Sequence, residues 1–239
     1  MKTKITSQIV LAITLLCANV SDGQTKVTPT APIDATLFTS YFFDSTHTTP
    51  TWITCGSTQN TSGCYGSGNL GPFGKVGAML EGNPRTNVST NTVTRAIYVL
   101  DVAAGANQDQ VVLNVYTKTD VITPDFDTVT VTLSQAITLP LTGGSSAKGS
   151  MAANKNFLLV GTSRSAVALE LDKRTFAITQ FGPFSNNLSS ITADQYGYIT
   201  ADFDESEFFQ IGPDGTDQQG GGGAWFMLNT VQGVPATFP

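Results

Sequence analysis

The sequence predicts an all-β protein, and three observations carry that reading. Short β-branched and aromatic runs recur along the chain, each closed by a turn signal, and no helical periodicity interrupts them. Polarity comes mainly from Thr, Ser, Asn and Gln, since charged residues make up only 13% of the chain. The second half carries a 40-residue echo: Ser150-Met-Ala-Ala-Asn-Lys-Asn-Phe-Leu-Leu-Val-Gly-Thr162 is answered by Ser190-Ile-Thr-Ala-Asp-Gln-Tyr-Gly-Tyr-Ile-Thr-Ala-Asp202. A period of that length built from short strands is one blade of a β-propeller. At roughly 40–45 residues per blade, the chain has length for four to five. An incomplete propeller and a two-sheet β-sandwich are the alternatives.

The elements follow in order. Residues 1–23 read as an export signal. Lys2 and Lys4 precede the apolar run Ile9–Ala18, and small residues stand at Ser21-Asp-Gly23. The run is too short to span a bilayer, which needs about 20 apolar residues. The expected location is therefore secreted or periplasmic, with no transmembrane segment. A lipoprotein held through Cys17 is the competing reading. Residues 24–34 form a loose Thr/Pro-rich lead, and 35–239 a single domain.

Within that domain the strand signals group into units at 35–70, 75–140, 148–183 and 188–230. The first unit holds Ala35–Phe43 and Thr51–Thr54. The second holds Lys75–Leu80, a polar loop at Glu81–Asn91, then Thr94–Val102, Val111–Tyr116 and Thr128–Leu133. The third holds Phe157–Val160, Ala166–Leu171 and Phe176–Gln180, with a turn at Asp172-Lys-Arg174. The fourth holds Ser190–Ala193, Tyr198–Ala201, Glu207–Ile211 and Trp225–Leu228. Pro213-Asp-Gly215 is a strong turn signal. Pairing of the 35–70 strands with Trp225–Leu228 would close a ring.

A resemblance rests on these residues. Ala153–Thr162 followed by Ala166–Thr179 resembles a blade of the secreted lactonase-type propellers, and Ala96–Gly105 is similar to the middle strand of such a blade. Ala193–Asp204 with Gly212-Pro-Asp-Gly215 resembles the NHL-type repeats. The likeness covers about half of the chain beyond the signal, and its motifs are structural. The whole sequence also resembles uncharacterised exported bacterial proteins. The resemblance implies propeller blades; no residue here matches a catalytic motif of those families.

Charge and motifs bound the function. A net charge of −6 and the lack of any basic run argue against a nucleic-acid partner. Cys55 and Cys64 flank a Gly/Ser/Thr/Asn/Gln loop and are expected to form one disulfide in an oxidising compartment. Gly66-Ser-Gly-Asn-Leu-Gly71 spells a dinucleotide fingerprint, but Pro72-Phe-Gly74 follows where a helix N-terminus is required, so a glycine-rich loop is the reading. Gly220–Gly223 reads as a hinge. His47, the only histidine, sits in a polar turn with no nucleophile elbow anywhere, which points to a surface side chain.

Acidic residues offer the one metal hypothesis. Asp202, Asp204 and Ser206 alternate at a strand-to-strand turn and could present oxygens to Ca²⁺. Asp120, Asp125 and Asp127 form a second acidic loop. The plain alternative is two solvated turns, and no other cofactor is expected. Aromatics cluster toward the chain ends, including Tyr41-Phe-Phe43, Trp52, Tyr65, Phe208-Phe209 and Trp225-Phe226. Adjacent pairs put one ring on each face of a strand, so one of each pair is expected in the core. Asn60, Asn87 and Asn187 fit the glycosylation pattern in hosts that glycosylate. The expected function is an exported non-catalytic binding or scaffold module whose extracellular ligand, protein or carbohydrate, is unknown. The alternatives are a metal-assisted hydrolase or lactonase using the acidic loops, and a surface adhesion protein.

Overall fold

The chain builds its strands into sheets that pack face to face in sequence order. The structure, a computed structural model, describes residues 36–57, 60, 62–123, 127–204, 207–214, 225–226, 228–229 and 234–235. The expected signal, the Thr/Pro-rich lead, Cys17 and Gly220–Gly223 lie outside the described residues.

The first sheet joins β1 (Thr36–Phe42), β2 (Thr51–Ser57) and β3 (Ser62–Asn69) in the order β1-β2-β3. The second holds β4 (Val76–Glu81), β5 (Arg85–Asn87), β6 (Thr92–Ala104), β7 (Gln110–Ile122) and β8 (Asp127–Leu139), ordered β4-β6-β7-β8 with β5 also on β6. The third is a meander of β9 (Gly149–Ala153), β10 (Phe157–Thr162), β11 (Ala168–Asp172) and β12 (Ile178–Phe181). The fourth repeats that meander with β13 (Ser190–Ala193), β14 (Ile199–Asp204), β15 (Glu207–Ile211) and β16 (Trp225–Phe226). A short ribbon pairs β17 (Leu228–Asn229) with β18 (Val234–Pro235). Every pairing is antiparallel.

Period-two side-chain alternation gives each sheet two faces, and the cores form between successive sheets. Trp52, Leu70, Phe73, Ile97, Val99 and Tyr116 fill the space between the first and second. Tyr98, Leu100, Val102, Leu158, Val160, Leu169 and Leu171 fill that between the second and third. Leu159, Ile191, Ile199, Phe203, Phe209 and Ile211 fill that between the third and fourth. This stacking explains two apolar runs that do not alternate. Ile97-Tyr-Val-Leu100 and Leu158-Leu-Val160 lie in sheets covered on both faces, so odd and even positions are buried alike.

The first strands of the later sheets gather along one side of the stack. β9 lies beside β4 and beside β13. Glycine makes the first approach feasible, because a Cβ on Gly77 would stand 2.7 Å from the Gly149 amide nitrogen. At the second, the Ile191 amide donates to Ser150 Oγ (2.8 Å). The sequence echo has a physical basis here. Asn154 and Asp194 occupy matching positions, and each side-chain oxygen accepts two backbone amides of its own turn: Asn156 and Phe157 in one case, Tyr196 and Tyr198 in the other. Asn154 also donates from Nδ2 to the carbonyls of Gly197 and Gly212, tying the third sheet to the fourth.

The described sheets span 36–69, 76–139, 149–181 and 190–226, which agrees with the expected units. Three expectations are corrected. Trp225–Phe226 pairs with β15 of the fourth sheet rather than with the 35–70 strands, so no described strand pairing closes the stack into a ring. The polar segment after Glu81 is not all loop: Arg85–Asn87 pairs with β6, and a 3₁₀ turn at Val88–Thr90 follows, capped by Asn87. The hairpin strands β6 and β7 run to 13 residues each, well beyond their apolar centres. Their Thr-rich ends continue the ladder because Thr suits a half-buried pleated surface.

Candidate functional site

The predicted acidic residues do not form one site. Asp202 lies on β14, opposite Ser190 and Phe208. Its neighbours Ala201 and Phe203 face the third sheet, so Asp202 faces away from it. Asp204 pairs with Glu207 beyond an irregularity in the ladder. Ser206 lies outside the described residues, as does Asp125. Asp127 opens β8 opposite Ile122. Asp120 corrects the idea of a solvated acidic loop. It stands within β7, fully buried, and Lys118 Nζ donates to both its carboxylate oxygens at 2.6 Å. Positions 116, 118, 120 and 122 share the face that meets the first sheet, whereas Asp202 belongs to the fourth. Among the described residues no three His, Cys, Asp or Glu side chains are placed to hold a metal ion.

The other motifs resolve into packing. Cys55 and Cys64 are bonded across β2 and β3, as expected. The glycine-rich Gly66–Gly71 segment is largely strand, and its glycines have a steric purpose. A Cβ on Gly68 would stand 3.0 Å from Trp52 Nε1, and one on Gly66 would stand 3.0 Å from the Val129 Cβ. The indole therefore lies against bare backbone. His47 is exposed, takes a left-handed φ of 56°, and stacks on Phe43 with centroids 5.7 Å apart. Phe208 and Phe209 are both buried, on opposite faces of β15. Phe42 and Phe43 depart from the one-ring-in-core expectation: both are exposed, at 54% and 44%.

That exposed pair leads to the surface best built for contact, the outer face of the first sheet. Phe38, Ser40 and Phe42 alternate along β1, opposite Cys55, Ile53 and Thr51 of β2. The far strand adds Ser67 beside Ile53 and Asn69 beside Thr51. Thr51 Oγ1 donates to Asn69 Oδ1 at 2.9 Å. An open recess of about 450 Å³ is lined by Phe38, the disulfide, Gly56, Ser57 and Gly63. Aromatic and aliphatic surface is thus interleaved with neutral hydrogen-bonding groups, and no charged residue occurs on β1, β2 or β3.

The opposite side of β1 faces the second sheet. Thr39 and its cross-strand partner Thr54 on β2 share a hydroxyl contact of 3.2 Å. Tyr41 Oη donates to Glu81 Oε1 (3.3 Å), and Arg95 Nη1 approaches the same oxygen at 3.5 Å. Burial, followed by the Glu81 charge, pushes the Tyr41 hydroxyl far above its usual range, so it remains a donor. Arg95 stands directly opposite Lys118 in the β6–β7 register. Five ionisable side chains therefore lie behind the contact face. The sequence reading did not single out this cluster. Its signal was available: Lys118 and Asp120 fall on the period-two row that holds Tyr116 and Ile122.

A separate buried acid sits between the third and fourth sheets. Glu170 pairs with Leu159 and Thr179 on the face that also presents Ala168 and Phe181. It is 7% exposed, and its Oε2 has no hydrogen-bond partner. Burial, with a lesser contribution from the Asp172 charge, raises its carboxyl to about 7. Among the described residues no helix is long and apolar enough to cross a membrane. No family model matches the chain, and no curated protein matches it.

Proposed function

We propose that this chain is an exported, non-catalytic binding or scaffold module, and that its sheets are successive blades of an open, propeller-like arc. The carrying observation is the division of labour on β1. Its inner side chains are tied to Thr54 and Glu81, while its outer row presents Phe38 and Phe42 on an uncharged face. Flat aromatic surface beside Ser, Thr and Asn groups suits a neutral extracellular ligand, a carbohydrate or a protein segment. The ionisable groups that the fold buries also support a structural reading. Lys118 and Asp120 bind each other, and Asp101 accepts the amides of Gly74, Lys75 and Ala103.

The resemblance to lactonase-type and NHL-type repeats enters here as support for the blade reading, through the paired meanders of the third and fourth sheets. The metal-assisted hydrolase alternative draws no comparable support, because Asp120 and Asp202 lie two sheets apart. The test is retention of the purified chain on immobilised polysaccharides and on extracellular-matrix proteins, with Phe38→Ala/Phe42→Ala alongside. Saturable retention that the double variant loses is the expected result. Calcium-dependent turnover of lactone or ester substrates would replace this reading with the enzymatic one.

A further inference from the structure

The free edge of the first sheet makes a second inference possible, independent of any ligand for its face. β1 is an outer strand of that sheet, and among the described residues no backbone hydrogen bond is made on its far side. An unprotected edge of this kind is a template for strand addition. Natural sheets blunt such edges with charge, proline, bulges or shortness. β8, the outer strand of the second sheet, has a register break against β7 between Val115 and Tyr116. β12, the outer strand of the third, has only four residues. β1 has none of these protections. Its seven residues, Thr36-Leu-Phe-Thr-Ser-Tyr-Phe42, contain no charge and no proline, and their register with β2 is unbroken.

The side-chain pattern of β1 is symmetric about Ser40. Phe38 and Phe42 flank it on the outer face, and Thr39 and Tyr41 flank it on the inner face. We propose that β1 pairs antiparallel with β1 of a second copy of this chain, about a two-fold axis at Ser40, joining two first sheets into one six-stranded sheet. In that register each Phe38 lies opposite the Phe42 of the other copy, and Ser40 lies opposite itself. The two aromatic cross-strand pairs cover Phe42, exposed in the single chain, together with the half-buried Phe38. An isologous contact of this kind closes on itself and leaves no free β1 edge in either copy. The two contact faces then form one continuous surface, with a disulfide-lined recess toward each end.

Sedimentation and light scattering of the purified chain over a wide concentration range test this. The expected result is a dimer that dissociates on dilution. Ser40→Lys places two like charges opposite each other at the axis and leaves a monomer at the same concentrations. Ser40→Cys gives the positive test, because directly opposed Cβ atoms lie about 4.5–5.5 Å apart. Mild oxidation then yields a covalent dimer, whereas Thr132→Cys on exposed β8 does not. Peptide mapping confirms that Cys55–Cys64 stays intact. A chain monomeric at every concentration overturns the proposal, as does a dimer that survives Ser40→Lys or fails to cross-link through Ser40→Cys. A monomer whose melting temperature Ser40→Lys lowers would assign the edge to another segment of its own chain, and equally overturns it.

Discussion

Two buried ionisable sites show how residue-level chemistry sets stability here. Lys118 and Asp120 lie on one strand and are removed from water together, so each depends on the other for its compensation. Replacing one alone leaves an isolated buried charge, which costs about 3–5 kcal/mol. We expect Lys118→Met and Asp120→Leu each to fall in that range in denaturant melts, and the double variant to cost less than either. Additive losses would show that the pair is not coupled. Glu170 behaves in the opposite sense, because its Oε2 is buried without a hydrogen-bond partner. Its ordinary value is 4.5 and its folded value about 7, so between those pH values the folded chain holds a proton that the unfolded chain releases. This contribution is fully present below the lower value and is lost as pH rises through the upper one. Glu170→Gln should therefore raise stability at pH 8 by about 3 kcal/mol and leave it little changed at pH 4. Equal shifts at both pH values would show that Glu170 does not titrate in this window.

At the scale of elements, the first sheet depends on one large ring laid against two small residues. Gly68→Val would drive a branched side chain into the Trp52 indole, and overpacking of this kind costs about 1–3 kcal/mol. The expected readout is a lower melting temperature with altered tryptophan emission; wild-type values would mean the indole does not lie against β3. The Cys55–Cys64 bond closes a short loop, and its removal as Cys55→Ala/Cys64→Ala should cost on the order of 2–3 kcal/mol. The hairpins within each sheet were legible because turn residues mark them: Pro50, Gly105, Asp172 and Asp194 each stand where the chain reverses between paired strands. The cysteine pairing was equally legible, since Cys17 is the one other cysteine in the sequence and stands far from the pair. The contact face was not. Phe42 and Phe208 look alike as sequence, each beside a second phenylalanine, yet one ends an outer strand and the other is buried. Only the order of strands and sheets separates them. Nor could composition tell a solvated Asp120 from a buried one, since its partner Lys118 had first to be placed on the same face.

For the whole molecule, serial stacking has a thermodynamic consequence. The second and third sheets are covered on both faces, whereas among the described residues the first and fourth each pack on one. Among the described residues the cores join each sheet to its neighbours in sequence order, as in repeat arrays, where stability is approximately a sum of unit and interface terms. Opening an end sheet breaks one interface, while opening an inner sheet breaks two. Native-state hydrogen exchange should therefore protect the amides of β6, β7, β10 and β11 most strongly, and those of β1 and β2 least. The gradient depends on the stack remaining open. A closed ring would give every sheet two interfaces and flatten the protection. Pairing of β1 with a second copy would act locally, raising the protection of β1 with protein concentration and leaving β10 and β11 unchanged. Uniform protection at all concentrations would exclude both the open stack and the paired edge. A concentration-dependent rise confined to β1 would show that a second copy covers that edge and leaves the stack behind it unchanged.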